Sequence, residues 1–210
     1  MDIPVIIFGA KTLAKTVLDA LRSNERTIYC FLDEDQNLHN TEIDHIPVMG
    51  SPKDPAYLSI LGQKCAAFVA FDDLKESQNF SRFIIKEYSV MPVNALHRTA
   101  YLAAGVNLGH GILVGANSSL GFGCGVMDHV RILAGAQIEA EVQIQTGAYI
   151  GTGAVVGTKV KIGKGAYLGA GAVIAAGVEI GDFAKVGPGS VVIKSVDEGE
   201  SVFGVPAVRV

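Results

Sequence analysis

The chain has 210 residues, long for one small domain and a fair length for two unequal parts. It is 49% hydrophobic and 18% charged, and a net charge of -4 offers no electrostatic footprint for nucleic acid or an anionic membrane surface. The three cysteines, Cys30, Cys65 and Cys124, are odd in number and lack metal-ligand spacing, which points away from a disulfide framework or a metal site and toward buried thiols in a reducing cytoplasm.

The first apolar run, Ile3–Phe8, is too short for a secretory leader core or a membrane span. It reads instead as a buried strand of the parallel type, ending at Gly9-Ala10. Thr12–Leu21 follows with Leu13, Val17, Leu18 and Leu21 on one helical face. Thr27–Leu32 is a second strand, closed by Asp33-Glu34-Asp35. This β-α-β order defines a Rossmann-like subdomain, and the C-terminal edge of such strands is where nucleotides usually sit. A dinucleotide fingerprint would need several glycines after the first strand, so that backbone amides can approach phosphates. Only Gly9 is present, followed by Lys11, Thr12, Leu13 and Ala14. Both a structural cap and a working nucleotide pocket therefore remain open. Ile46-Pro47-Val48-Met49-Gly50 reads as a loop, Cys65–Phe71 as a third strand and Leu74–Tyr88 as a helix. The segment from Met91 to His97 leads out of this part, so the boundary is expected near residue 90, with domains over 1–90 and 91–210.

From Leu102 to Val192 an aliphatic residue returns at every sixth position, as in Ile132, Ile138, Ile144, Ile150, Val156 and Ile162. Two positions earlier sits a second, usually small residue such as Ala136, Val142 or Ala148, and glycine often follows the large one. Neither a helical period nor strand alternation gives this pattern; a hexapeptide solenoid does. The runs beginning at Val142, Val160 and Val178 add a beat of eighteen, or three hexads. One coil is thus expected to be a triangle of short strands, all β, buried only by stacking on its neighbours. Each inward Val, Leu or Ile contributes roughly 1.5–3 kcal/mol of transfer free energy. Handedness does not follow from spacing.

A βαβ domain, an Asn94-Ala95-Leu96-His97 link, a hexapeptide solenoid and a Phe203-Gly204-Val205-Pro206-Ala207 tail together resemble the bacterial family of sialic-acid O-acetyltransferases and UDP-4-amino-sugar N-acetyltransferases. The resemblance covers nearly the whole chain. It implies a left-handed parallel β-helix, a homotrimer, acetyl-CoA as acyl donor, and a sugar or nucleotide-sugar acceptor carrying an amino or hydroxyl group. The acceptor must lose a proton as it attacks the thioester, so a general base must lie within reach. In the family that base is a histidine in an Ile-Glu-His-Glu or Ile-Glu-His-Asp run. Here the matching run is Ile138-Glu139-Ala140-Glu141, which keeps the carboxylate and replaces the imidazole with Ala140. The family's glycine-histidine-glycine nucleotide loop matches Thr12-Leu13-Ala14, and its second histidine, associated with acetyl-CoA, matches Tyr149.

Several residues are candidates for what remains. Glu141 is either a base or the partner of Lys159, eighteen residues on. His110 lies one coil below Asp128, a base with its orienter or two solvated residues; His129 follows at a turn. Tyr149 and Tyr167, with Arg131 and Lys185 in the same column, line a CoA groove or a trimer contact. The resemblance puts further CoA contacts on the backbone of Gly169-Ala170 and Gly187-Pro188. It places the acceptor's nucleotide near Gly9, Lys11 and Asp33. Two functions follow: a sugar acyltransferase with a rearranged base, or a catalytically silent trimeric scaffold.

Overall fold

The structure, a computed structural model, describes residues 3–210. The chain divides into two compact units, Met1–Ala95 and Leu96–Val210.

The first unit is an α/β layer. Strand β1 (Val5–Phe8) is wholly buried and leads through Gly9 into helix α1 (Thr12–Ser23), whose Leu13, Val17, Leu18 and Leu21 face inward. Strands β2 (Ile28–Leu32), β3 (Glu42–Ile43) and β4 (Ile46–Gly50) precede the short helix α2 (Pro55–Leu58), strand β5 (Ala66–Val69) and helix α3 (Leu74–Tyr88). The sheet order is β3-β4-β2-β1-β5, parallel except for the β3–β4 pair. The stretch Ile46–Gly50, expected as a loop, is therefore a strand. Its Ile46 and Val48 alternate inward, and Pro47, which has no N–H, is accommodated opposite Glu42. Gly9 is required at the end of β1: its φ is +109°, and a Cβ there would stand 2.7 Å from the Ala70 carbonyl oxygen.

The second unit is the solenoid. Two-residue strands return every six residues and pair in parallel with the strand eighteen residues on, as in Ile132 with Ile150, Ile150 with Leu168 and Leu168 with Val186. Three parallel sheets result, one for each face of the triangular coil. From Ile112 to Val192 the large and small residues of each hexad, such as Ile150 and Ala148, are buried in one continuous core, against which Leu102, Val106 and Leu108 of the first coil pack partly buried. Beyond Val192 the chain departs from the hexads. Ser201–Gly204 joins one sheet in parallel, and Ala207–Arg209 turns back on it as an antiparallel strand across the cis Val205–Pro206 bond.

The glycines fall into two classes with different physical causes. Gly151 directly follows an inward residue, and a Cβ there would lie 2.6 Å from the backbone of the next coil at Ala170. Gly153 sits two residues later with φ +66° and open space around it. This second position holds a left-handed backbone every sixth residue from Gly105 to Gly189. Most of these positions are glycine. The exceptions are Asn117, His129, Glu141, Lys159 and Phe183.

Candidate active site

In the α/β unit, the candidates Gly9, Lys11 and Asp33 come together in one pocket of about 270 Å³ at the C-terminal ends of β1, β2 and β5. Asp33 is the anchor, 7% exposed. Its Oδ2 accepts the Ala10 N–H at 2.7 Å and its Oδ1 accepts the Asp35 N–H at 2.9 Å. Its carbonyl accepts from His39 Nε2 at 2.8 Å, which fixes the proton of that ring on Nε2. The carboxylate thus takes the Ala10 amide at the turn where a phosphate would be received. Glu34, Asp35, Asp72, Asp73 and Glu76 also line the pocket, against Lys11. Such a lining suits hydroxyl donors better than phosphates.

An adjoining cleft of about 690 Å³ shares Glu34, Phe71, Asp73 and Glu76, and adds Lys53, Lys75, Phe80 and Phe83. Phe71 and Phe83 both pack against Phe80, with ring centroids 5.4 and 5.8 Å away. Sequence reasoning missed this aromatic wall, although Phe80 and Phe83 stand three residues apart on one helix and so share a face.

In the solenoid, the corner after the inward Ile138 carries Glu139, Ala140 and Glu141. Glu139 Oε2 accepts the Thr158 N–H at 3.0 Å, and the Glu139 carbonyl accepts the buried Cys124 thiol at 3.0 Å. Burial pushes the Cys124 thiol pKa up, so this donor keeps its proton. Ala140 is half-buried, its carbonyl taken by the Lys159 N–H at 3.0 Å. Glu141 donates its own N–H to the Phe122 carbonyl at 2.8 Å. Its Oε2 lies 3.7 Å from Lys159 Nζ, with side chains 57% and 70% exposed. The ion pair expected from the spacing is therefore present, on a corner accessible to a ligand. An exposed pair of this kind stabilises by about 0.2–1 kcal/mol. Holding a residue other than glycine in the left-handed region costs about 1–2 kcal/mol each. The pair does not offset the strain of its two residues, with φ +62° and +60°.

The other candidates are placed as follows. Asp128 meets His110 through the main chain: its Oδ1 accepts the His110 N–H at 2.8 Å. The expected pairing of carboxylate and imidazole is replaced by a corner cap, repeated where Asp182 Oδ1 accepts the Lys164 N–H at 2.7 Å. His129 takes a left-handed corner, φ +60°. Tyr149 and Tyr167 stack with centroids 4.9 Å apart and planes 13° from parallel, between Arg131 and Lys185 in register. Gly169 and Gly187 are buried, and their N–H groups donate to the Val186 and Val202 carbonyls at 2.8 and 2.9 Å. What these two turns present outward is Ala170 and Pro188, both exposed. Among the described residues no group of three or more His, Cys, Asp or Glu side chains is placed to hold a metal ion, and no helix is long and apolar enough to cross a membrane.

The bacterial transferase hexapeptide family (six repeats) matches residues 159–194, within the solenoid. That match places the hexapeptide repeat of bacterial transferases in this part of the chain, and the solenoid is a left-handed parallel β-helix. The chain's structural neighbours include a GDP-perosamine N-acetyltransferase. PerB from Caulobacter crescentus, solved in complex with CoA and GDP-perosamine, is 28% identical, with a TM-score of 0.89 over 99% of this chain and 97% of that one. A histidine-to-alanine variant of GDP-perosamine N-acetyltransferase from the same organism was solved with the same two ligands; it is 29% identical over 99% of this chain and 96% of that one, TM-score 0.89. The acetyltransferase domain of PglB from Neisseria gonorrhoeae, solved with acetyl coenzyme A, shares the fold at 19% identity, TM-score 0.88, covering 99% and 98%. No curated protein matches.

Proposed function

We propose that this chain is an acetyl-CoA-dependent acyltransferase that modifies an amino or hydroxyl group of a sugar or nucleotide-sugar, working as a cytoplasmic homotrimer. The observation that carries the proposal is the likeness, across both units, to an N-acetyltransferase solved with CoA and a nucleotide-linked amino sugar. Three free, buried cysteines fit a reducing compartment. Glu141 is the base. The acceptor nitrogen or oxygen attacks the thioester carbonyl carbon and gives one proton to the Glu141 carboxylate. The C–S bond breaks, its electron pair leaves on the CoA sulfur, and that thiolate takes the proton from the Glu141 carboxylic acid, which returns to the carboxylate. Net, the acetyl group moves to the acceptor and CoA leaves as its thiol.

Tyr149, Ala170 and Pro188 are the donor contacts, with Gly169 and Gly187 acting through the turns they shape. The pocket of Gly9, Lys11 and Asp33 takes the hydroxyl-rich part of the acceptor. The test is CoA release from acetyl-CoA with GDP-perosamine and a UDP-linked 4-amino sugar. Glu141→Gln is expected to lower kcat by roughly 100-fold or more, the range of a lost general base. An unchanged kcat in that variant excludes Glu141 as the base.

A second reading, a silent trimeric scaffold of the same family, is favoured by Ala140, which has no group to accept a proton. The His-to-Ala relative bears on it, because both of its ligands are present although one of its histidines is alanine. Under this reading the wild-type chain binds acetyl-CoA yet releases no CoA, and Ala140→His creates activity.

A further inference from the structure

We infer that Lys159 is a positioning residue for acyl transfer, fixing the Glu141 carboxylate at the corner beside Ala140. The inference rests on the acyltransferase reading with Glu141 as base. Its observation is a pattern of backbone strain. The left-handed position returns every sixth residue from Gly105 to Gly189, and on the corner in question it is Gly123 one coil below Glu141 and Gly177 one coil above Lys159. Steric room does not decide which residue stands at such places, since nothing lies within 4 Å of a Cβ built at Gly153, Gly171 or Gly177; the left-handed backbone alone favours glycine there. Yet two successive coils of this corner, and of no other among the described residues, hold side chains there.

The remaining exceptions do not compete. Asn117 and His129 are residue types that enter the left-handed region comparatively readily, and Phe183 carries no group that can hold or move a proton. Glu141 and Lys159 have no such ease. Their attraction is that of an exposed pair, too weak to hold them there for stability. Strain kept against a cheap alternative marks a site where the side chains are used.

The geometry says how. The Glu141 N–H on the Phe122 carbonyl and the Lys159 N–H on the Ala140 carbonyl, at 2.8 and 3.0 Å, fix both backbones. Each side chain therefore starts from a rigid point one coil from the other. At 3.7 Å the ammonium limits where the carboxylate can swing. Lys159 itself need not touch either substrate.

The test is Lys159→Gly, compared with Lys159→Arg, in the full chain. Glycine relieves the strain, so the melting temperature is expected to stay level or rise. The kcat for CoA release with GDP-perosamine or the UDP-linked 4-amino sugar is expected to fall roughly 3- to 5-fold, what an exposed pair can supply, while KM for acetyl-CoA stays within about 1.5-fold, because orientation of the base and not donor binding is lost. Lys159→Arg is expected to recover most of kcat. If Lys159→Gly keeps the wild-type kcat, or if its melting temperature falls while kcat holds, the residue is structural and the inference fails, with the acyltransferase reading intact. A wild-type chain that releases no CoA with either acceptor removes the reading and the inference together.

Discussion

The two units carry information in opposite ways. In the solenoid every residue has counterparts eighteen positions away, so a departure can be measured against its neighbours: Glu141 against Gly123, Ala140 against Phe122 and Thr158. In the α/β unit each residue occurs once and must be understood from its own contacts. Several of its carboxylates also serve local structure: Asp35, Asp54 and Asp73 accept backbone N–H groups of the next turn at 3.0, 2.9 and 2.7 Å. A regular scaffold makes function stand out as strain; an irregular one hides it among caps.

The sharpest break of this comparison concerns the two glycine classes. Gly151→Ala drives a Cβ into the next coil's backbone and is expected to destabilise by about 3 kcal/mol, the upper range for overpacking. Gly153→Ala meets open space and suffers only the left-handed backbone, about 1 kcal/mol. Urea denaturation of both measures the difference, and equal losses would dissolve the distinction. In the α/β unit, Asp33→Ala orphans the Ala10 and Asp35 amides and is expected to lower stability by about 2 kcal/mol by the same measurement.

A gentler effect comes from Cys30 in the same unit. Burial, with Cys65 second, pushes its thiol pKa from 9.0 up to about 12. The folded chain then holds the proton longer than the unfolded one. Stability is unaffected below about pH 9 and declines as pH climbs from there toward about 12. Cys30→Ala should flatten that alkaline decline in pH-dependent unfolding; an identical slope would assign it elsewhere.

Most of the solenoid was legible in the sequence because its period is imposed by burial alone: each sixth residue must be aliphatic if the coils are to stack. The same arithmetic found the Glu141–Lys159 pair and the tyrosine stack. It could not find what depends on corner geometry. Asp128 meets the His110 N–H and not the ring because the turn aims its short side chain at the amide of the coil below. In the α/β unit, Pro47 obscured β4, since its missing N–H reads as a break although the neighbours Ile46 and Val48 alternate correctly. Gly9, Lys11 and Asp33 were found at one strand edge, but the aromatic cleft beside them depends on how α3 lies on β5. The antiparallel return of Ala207–Arg209 follows from a turn after Gly204, outside any repeat.

The central claim is that the corner of Glu139, Ala140 and Glu141 is where a thioester is opened. A crystal structure with acetyl-CoA tests it most directly. The account predicts the thioester carbonyl at that corner, with the Glu141 carboxylate the nearest group able to take a proton. A thioester bound away from Glu141, or no binding at millimolar acetyl-CoA, would contradict it.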